Sequence, residues 1–171
     1  LESFLTSGRY FVEDIHLTTC ENDCYSPDFI GDMLGENISA RTHGNYREWY
    51  PPLSEDSYTI GVDVAEGLSY GDYSCAQVLD SQGRQVASWH GHIDPWDWGN
   101  IVSKIGQRYN NAYIVVERNN HGLTTLRRLQ ELAYPNMFIE HSVDGAYSDK
   151  MTKRGGFLTT SKTKPLIIDN L

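Results

Sequence analysis

Three acidic residues, Asp63, Asp72 and Glu117, have the types and spacing to do chemistry. Asp63 lies near the end of residues 58–64, whose apolar side chains alternate as they do in a β-strand. A carboxylate there is unfavourable for strand formation and costly to bury without a partner. An ion pair, a backbone hydrogen bond or a metal ion would each satisfy it. The glycines at 67 and 71 predict a tight loop that brings Asp72 back towards Asp63, which favours the metal ion.

Glu117 ends a second informative stretch, because residues 112–116 are apolar on both faces, as in a central strand covered on both sides. If this strand lies beside the first, Asp63 and Glu117 face each other and repel strongly unless a proton or a cation intervenes. Mg²⁺ and similar ions prefer carboxylate oxygens, and two such ions about 4 Å apart suit in-line phosphodiester cleavage. The residues therefore predict a site for two Mg²⁺ or Mn²⁺ ions.

The elements that must position these carboxylates follow a regular order from residue 58 onwards. The sequence predicts, in order, a strand at 58–64, strands at 72–80 and 85–93 joined by a hairpin turn, a helix capped by Asp94, a strand at 112–117, a helix capped by Asn119 or Asn120, short strands at 137–140 and 157–160, and a helix from residue 161. Hairpin-connected strands followed by alternating helices and strands predict an α/β fold of the ribonuclease H-like class, a mixed sheet flanked by helices.

Residues 1–57 show no sustained period and end in a Pro51–Pro52 pair followed by acidic residues. Two consecutive prolines before the first convincing strand are typical of a connecting segment. We therefore interpret residues 1–57 as a linker or the tail of a preceding domain, and residues 58–171 as the domain that carries the carboxylates.

The composition sets limits on the function. A chain of 171 residues with 39% hydrophobic residues suits one globular domain. The net charge of −9 argues against binding nucleic acid through bulk charge, although it leaves room for a local basic face. No apolar run is long enough to span a bilayer. The cysteines, Cys20, Cys24 and Cys75, are few and odd in number, which fits a reducing compartment; no second pair completes a zinc site with the first two.

Three motifs stand out together: GVDVAEG at 61–67, GDYS at 71–74 and VVERNNHG at 115–122, with support from FLTSG at 4–8 and TTSKTKPLI at 159–167. With these motifs, the sequence resembles the nuclease domain of the large terminases of tailed bacteriophages. These motifs are specific in combination and weak singly, and together they span nearly the whole chain.

The resemblance implies a metal-dependent endonuclease that cuts concatemeric double-stranded viral DNA in the host cytoplasm during virion assembly. It implies a terminase ATPase domain, a small terminase subunit and a portal as partners. Asp63 would be the central metal ligand, Glu117 the second, and Asp72 a supplementary or outer ligand. No GxxxxGK[ST] phosphate loop is present, so we expect the packaging ATPase to be missing from this chain. The similarity of FLTSG to the end of that ATPase domain implies that residues 1–57 are a linker or its tail. We expect the third carboxylate of the family beyond Leu171.

A local basic segment could offset the acidic charge near such a site. A flexible basic hairpin would hold a phosphate backbone without reading bases, although a solvated charged loop explains the same residues equally well. The proposed DNA-binding residues are Lys150, Lys153, Arg154, Lys162 and Lys164.

Other readings stay open at this level. A resolvase or transposase-type nuclease would share the fold, and a non-catalytic DNA-binding or docking module would fit a chain that lacks the third carboxylate. His90, His92 and Asp94 could bind a transition metal, but alternate strand positions are more typical of exposed polar residues. His121 could contact substrate or simply cap a helix.

Overall fold

A computed structural model describes residues 29–34, 37–40, 44–143, 151–161 and 163–168. The strands and helices within these ranges are β1 Phe29–Leu34, β2 Asn37–Ala40, β3 Tyr46–Glu48, β4 Thr59–Asp63, β5 Ser74–Leu79, β6 Gln85–Gly91, α1 Pro95–Arg108, β7 Tyr113–Val116, α2 Gly122–Glu131, β8 Ile139–Val143, β9 Met151–Gly155 and α3 Thr163–Ile168.

Seven strands form one mixed sheet in the order β2-β1-β3-β6-β5-β4-β7. The pairs β1–β2, β1–β3, β3–β6, β5–β6 and β4–β5 are antiparallel, whereas β4 and β7 are parallel. Strands β8 and β9 form a separate antiparallel hairpin. The predicted α/β class, a mixed sheet flanked by helices, is confirmed.

The hydrophobic core lies between one face of the sheet and the helices α1 and α2. Alternate strand residues, among them Ile60, Val62 and Val116, are at most 4% exposed and pack in one cluster with Trp98 and Leu129 of the helices. The opposite face of β4 carries Thr59, Gly61 and Asp63, all exposed. Because strand side chains alternate, burying Val62 directs Asp63 to the other face of the sheet.

Helix α1 begins as the sequence predicts. The Asp94 carboxylate accepts hydrogen bonds from the backbone N–H groups of Trp96 at 2.8 Å and Asp97 at 3.4 Å, and Pro95 occupies the first turn. This cap satisfies donors that a helix start would otherwise leave unpaired. Trp98 is fully buried and packs in the core beneath the sheet.

Asn119, one of the two residues predicted to cap helix α2, contacts its first turn. The Asn119 side-chain oxygen accepts a hydrogen bond from the Gly122 N–H at 2.7 Å. The predicted strands at 137–140 and 157–160 differ from the structure. Residues 139–143 pair with β9, and Phe157 makes only an isolated parallel bridge with Glu117. Phe157 therefore pairs with the end of β7 through its backbone without forming a further strand of the sheet.

Residues 29–48 contribute three strands to the sheet, although the sequence there shows no strand periodicity. The expectation that the sheet begins at residue 58 is therefore wrong. The segments FIGDML, NISA and YRE mix apolar residues with glycine and with polar or charged residues, so they show no alternating pattern. The pairing of β3 with β6, of β1 with β3 and of β2 with β1 supplies the order that local propensity lacks. The residues before 29 lie outside the described part of the chain, so their linker role remains a prediction.

A buried ionic cluster joins β3 to α1. The Glu48 carboxylate accepts hydrogen bonds from Arg108 at 2.7 and 2.8 Å, from the Tyr46 hydroxyl at 2.7 Å and from the Tyr109 hydroxyl at 3.1 Å. Burial alone would raise the pKa of Glu48, but these hydrogen bonds and the Arg108 charge outweigh it and hold the pKa below its ordinary value. Glu48 is therefore ionised and fully paired in the folded protein.

We expect Glu48→Ala to lower the free energy of unfolding by about 3 kcal/mol, because it leaves the Arg108 guanidinium without its carboxylate in a partly buried site. Since the folded-state pKa of Glu48 is depressed, its contribution to stability is present at neutral pH and is lost as the pH falls through that pKa. Urea denaturation at pH 7 and at acidic pH measures both effects.

Glu131→Ala is the matched control, because Glu131 forms exposed ion pairs with Arg127 and Arg128 and should cost less than about 1 kcal/mol. Equal destabilisation in the two variants would contradict the structural role of the Glu48 cluster and the inclusion of β3 in the fold.

Candidate active site

Asp63 and Glu117 lie side by side at one edge of the sheet. Asp63 is the last residue of β4, and Glu117 directly follows β7. The two strands are parallel with Val62 opposite Val116, and the Glu117 N–H donates to the Val62 carbonyl at 2.8 Å. The two carboxyl groups are within hydrogen-bonding reach of each other. The structure thus brings together the two residues that the sequence predicts to meet.

The electrostatics of this pair favour a shared proton or a cation. Burial raises the pKa of Asp63, and the Glu117 carboxyl raises it further through hydrogen bonding and charge. The backbone N–H of Val64 donates to Asp63 Oδ1 at 2.8 Å and opposes the rise, whereas the charge of Asp72 adds to it. Although Asp63 is exposed as a residue, its carboxyl group faces Glu117. In the absence of a cation, the ionised pair is therefore destabilising.

No arginine or lysine among the described residues forms an ion pair with either carboxylate. Arg118, the neighbour of Glu117 in sequence, instead pairs with Glu140 at 2.6 Å. Consecutive residues of an extended segment point to opposite sides, so Arg118 is directed away from the carboxylates. The charge of the pair is thus left for a ligand to neutralise.

The carboxylates border an open groove of about 340 Å³ on the exposed face of the sheet. Gly61 lies in the middle of β4, and a methyl group built on it would meet nothing within 4 Å. Glycine in a strand interior often marks a place where a ligand approaches the backbone. The groove is lined by Gly61, Val62, Asp63, Cys75, Gln77, Val115, Glu117, Phe157 and Thr159.

The backbone on either side of the pair is fixed by side-chain hydrogen bonds. The Trp98 indole N–H donates to the Asp63 carbonyl at 3.2 Å, and the Asn119 amide donates to the Val64 carbonyl at 2.9 Å. The Asn119 side-chain oxygen also accepts a hydrogen bond from the Gly122 N–H. Glycine is required at position 122, because a Cβ atom there would collide with the Glu117 carbonyl oxygen. Asn119 therefore joins the segment after Asp63 to the segment after Glu117.

Asp72, the third predicted metal ligand, does not form part of the close carboxylate pair. Asp72 is exposed in the loop before β5 and acts on Asp63 through its charge. Within the described ranges, no three His, Cys, Asp or Glu side chains converge closely enough to hold a metal ion. The role of Asp72 therefore remains a prediction.

The predicted DNA-binding residues are only partly described. Arg154 in β9 and Lys164 in α3 are exposed, and Lys153 lies in β9. Lys150 and Lys162 lie outside the described residues, as do Cys20 and Cys24. The proposed role of this basic segment is therefore still a prediction.

The histidines of β6 and its extension contact an aromatic ring. Tyr73 stacks against His90 with ring centroids 4.4 Å apart and against His92 at 4.0 Å. Alternate residues of a strand lie on the same face, and there both histidine rings pack against Tyr73. His121 is half-buried and begins α2 without a side-chain capping bond, and its contact with substrate stays a prediction.

Sequence reasoning missed three features of the groove. It assigned Asn119 a capping role but not the contact with Val64, and it gave no role in the site to Cys75 or Thr159. Cys75 is opposite Asp63 in the β4–β5 register, so the strand pairing contained the signal. Burial raises the pKa of the Cys75 thiol, Gln77 opposes the rise and the charge of Asp63 adds to it, so the thiol is neutral.

Solved structures with the same fold are nuclease domains of large terminases. The chain is similar to the large terminase nuclease of thermophilic phage G20c with bound magnesium, at 18% identity and a TM-score of 0.58 over 76% of this chain. The same nuclease with bound cobalt matches with the same values. No protein-family model matches the sequence, and no curated protein matches it.

These likenesses show a terminase nuclease-domain fold of the ribonuclease H-like class, in agreement with the resemblance found in the sequence. The matched region covers 59% of the G20c nuclease, so this chain corresponds to just over half of that structure. Within the described residues, no helix has the length and apolar character required to cross a membrane.

We expect Asp63→Asn to raise the melting temperature of the metal-free protein at pH 7 by roughly 1–3 °C, because it removes a repulsive charge while keeping an acceptor for the Val64 N–H. Since the folded-state pKa of Asp63 is raised, the metal-free wild type should lose stability as the pH rises through that pKa. Thermal melts in a chelator, at several pH values, measure both effects.

Glu55→Gln removes one exposed carboxylate from the loop before β4 and provides the control. If Asp63→Asn behaves like this control, or lowers the melting temperature, Asp63 and Glu117 do not repel each other in the folded protein.

Proposed function

We propose that the chain is a metal-dependent endonuclease domain that cleaves concatemeric double-stranded viral DNA during genome packaging. The observation that supports this best is the contact between Asp63 and Glu117, two carboxylates on neighbouring parallel strands with no described cationic partner. Like charges held together by the backbone are typical of a site built for divalent cations. The terminase nuclease fold makes phosphodiester hydrolysis the chemistry to test first.

Asp63 and Glu117 would hold Mg²⁺ or Mn²⁺, with Asp72 as a supplementary ligand. Their oxygens are the donors that these ions prefer. The pKa of Asp63 is raised by burial and by the neighbouring negative charge, and a bound cation would offset that charge. The similar G20c nuclease has been crystallised with magnesium and with cobalt, which supports dependence on a divalent ion. When bound as a pair, such ions supply Lewis-acid activation of water and of the scissile phosphate.

The residues of the chain itself provide orientation around that chemistry. The Val64 N–H fixes one oxygen of Asp63, and Asn119 holds the following segment against the start of α2. Thr159 offers a hydroxyl at the wall of the groove, and the neutral Cys75 thiol adds no charge to it. Positioned ligands of this kind reduce the reorganisation that the reaction requires.

DNA would be held by the basic segment that the sequence predicts, through phosphate contacts without base recognition. We assign this role to Lys150, Lys153, Arg154, Lys162 and Lys164. By the same fold relationship, a terminase ATPase domain, a small terminase subunit and a portal are the proposed partners.

A non-catalytic DNA-binding or docking module is the second candidate. It is favoured by one observation, that only two carboxylates, without a third ligand group, converge in the described part of the chain. A resolvase or transposase-type nuclease would have the same two-carboxylate geometry and differs in its substrate, which would be a branched or site-specific DNA.

Mn²⁺ at saturating concentration should raise the melting temperature of the wild type by several degrees, since a ligand at 100 times its Kd adds about 2.7 kcal/mol. Asp63→Asn should abolish this rise and lower cleavage of linear double-stranded DNA by at least ~10²-fold, because even outer partners of metal ligands cost 10–100-fold. Metal titration followed by thermal melts, and gel analysis of the linear DNA after incubation with Mn²⁺, give the two readouts.

Glu55→Gln should match the wild type in both assays. A metal response of Asp63→Asn equal to that of the wild type would show that Asp63 is not a ligand. Metal binding without cleavage would favour the docking module, and preferred cleavage of a four-way junction would favour the resolvase.

A further inference from the structure

A second cavity, of about 420 Å³, lies between α2 and the β8–β9 hairpin, and three arginines from different elements line it. Arg118 follows β7, Arg127 is in α2 and Arg154 is in β9. We call it the arginine cavity. Its lining residues are Arg118, Leu123, Leu126, Arg127, Gln130, Arg154 and Gly155.

The arginine cavity carries positive charge that its own carboxylates balance only in part. Arg118 is mostly buried and pairs with Glu140 at 2.6 Å, so its charge is neutralised. The Arg127 side chain is 77% exposed and lies 3.8 Å from Glu131, a surface contact that contributes little. Arg154 is exposed and has no ion pair within the described ranges, although Glu140 is its cross-strand neighbour. Two guanidinium groups are thus available to an anion.

The arginine cavity is next to the carboxylate groove but on the other side of one backbone segment. Phe157 lines the groove, Gly155 lines the arginine cavity, and the Phe157 N–H donates to the Val116 carbonyl at 2.8 Å. Glu117 and Arg118 are consecutive and face the groove and the cavity respectively. An elongated anion that reaches the groove over this segment would therefore meet the arginines.

We propose that the arginine cavity binds a phosphate group of the DNA backbone beside the scissile position, an inference that rests on the proposed function. Guanidinium groups match phosphate oxygens with paired hydrogen bonds, which makes arginine the preferred residue for such contacts. A polyanion that approaches Asp63 and Glu117 is repelled, so nearby positive charge is needed to keep the strand in place. Arg127 and Arg154 supply that charge from rigid secondary structure.

The double variant Arg127→Gln/Arg154→Gln tests this on the whole chain. Both side chains are exposed, and without Arg127 the Glu131 carboxylate still has its ion pair with Arg128 at 3.5 Å. We therefore expect the double variant to fold. In a chelator, which prevents cleavage, the Kd for a duplex oligonucleotide is measured over a range of salt concentrations. We expect weaker binding and a flatter plot of log Kd against log salt, by about 0.9 for each phosphate that an arginine no longer neutralises.

Arg47→Gln is the matched control, since Arg47 is an exposed arginine on β3, three strands away from β4. A double variant whose salt dependence equals that of this control overturns the proposal.

Inorganic phosphate then separates the possible sources of the phosphate group. If it raises the melting temperature of the wild type but not of the double variant, the cavity accepts free phosphate as well as DNA; if the flatter salt dependence is found without this effect, the cavity requires the DNA backbone.

The two proposals fail in different ways. A wild type that never cleaves DNA with Mn²⁺, but whose double variant binds DNA with a flatter salt dependence than Arg47→Gln, contradicts the nuclease function and supports the arginine cavity as a phosphate site. A wild type that cleaves, and whose double variant binds DNA unchanged, contradicts only the phosphate site.

Discussion

The in-register parallel pairing of β4 with β7 is the constraint on which the site depends. It places the ends of the two strands at the same edge, so Asp63 and Glu117 are adjacent although 54 positions separate them in the sequence. The hydrogen bond from the Glu117 N–H to the Val62 carbonyl fixes this register. A shift of one residue would turn one carboxylate to the buried face, where Val62 and Val116 now pack. Core packing and site geometry are thus specified by the same alternation.

The helices stabilise this arrangement from the buried face. Trp98 fills the core beneath β4 and also donates to the Asp63 carbonyl, so one side chain both packs and positions. At the far end of α1, the Glu48–Arg108 pair fastens the helix to β3. The hydrophobic core therefore supports two electrostatic features: the repelling carboxylates Asp63 and Glu117 at one end of the sheet, and the fully paired Glu48 and Arg108 at the other. Burial of apolar surface provides the free energy that tolerates the repulsion.

Much of the site was predictable, because a carboxylate that interrupts an apolar strand is a strong local signal. Asp63, Glu117, the Asp94 cap and the mixed sheet all follow from alternation and capping rules. The strands within 29–48 and the arginine cavity were not predictable, since they depend on contacts between residues distant in sequence. Arg118 shows the limit most clearly: alternation along the strand directs it away from Glu117, but its partner Glu140, 22 residues later, is visible only in the structure.

The bridge formed by Asn119 has a consequence for how ions of different size would be accommodated. Its two hydrogen bonds, to the Val64 carbonyl and from the Gly122 N–H, hold the backbone after Asp63 to the backbone after Glu117 without a bound ion. A smaller or larger cation would then meet the same backbone at both carboxylates, and the difference in ionic radius would be absorbed by the water molecules that complete its coordination shell. Selectivity among hard cations would accordingly arise from hydration preference and not from reshaping of the protein.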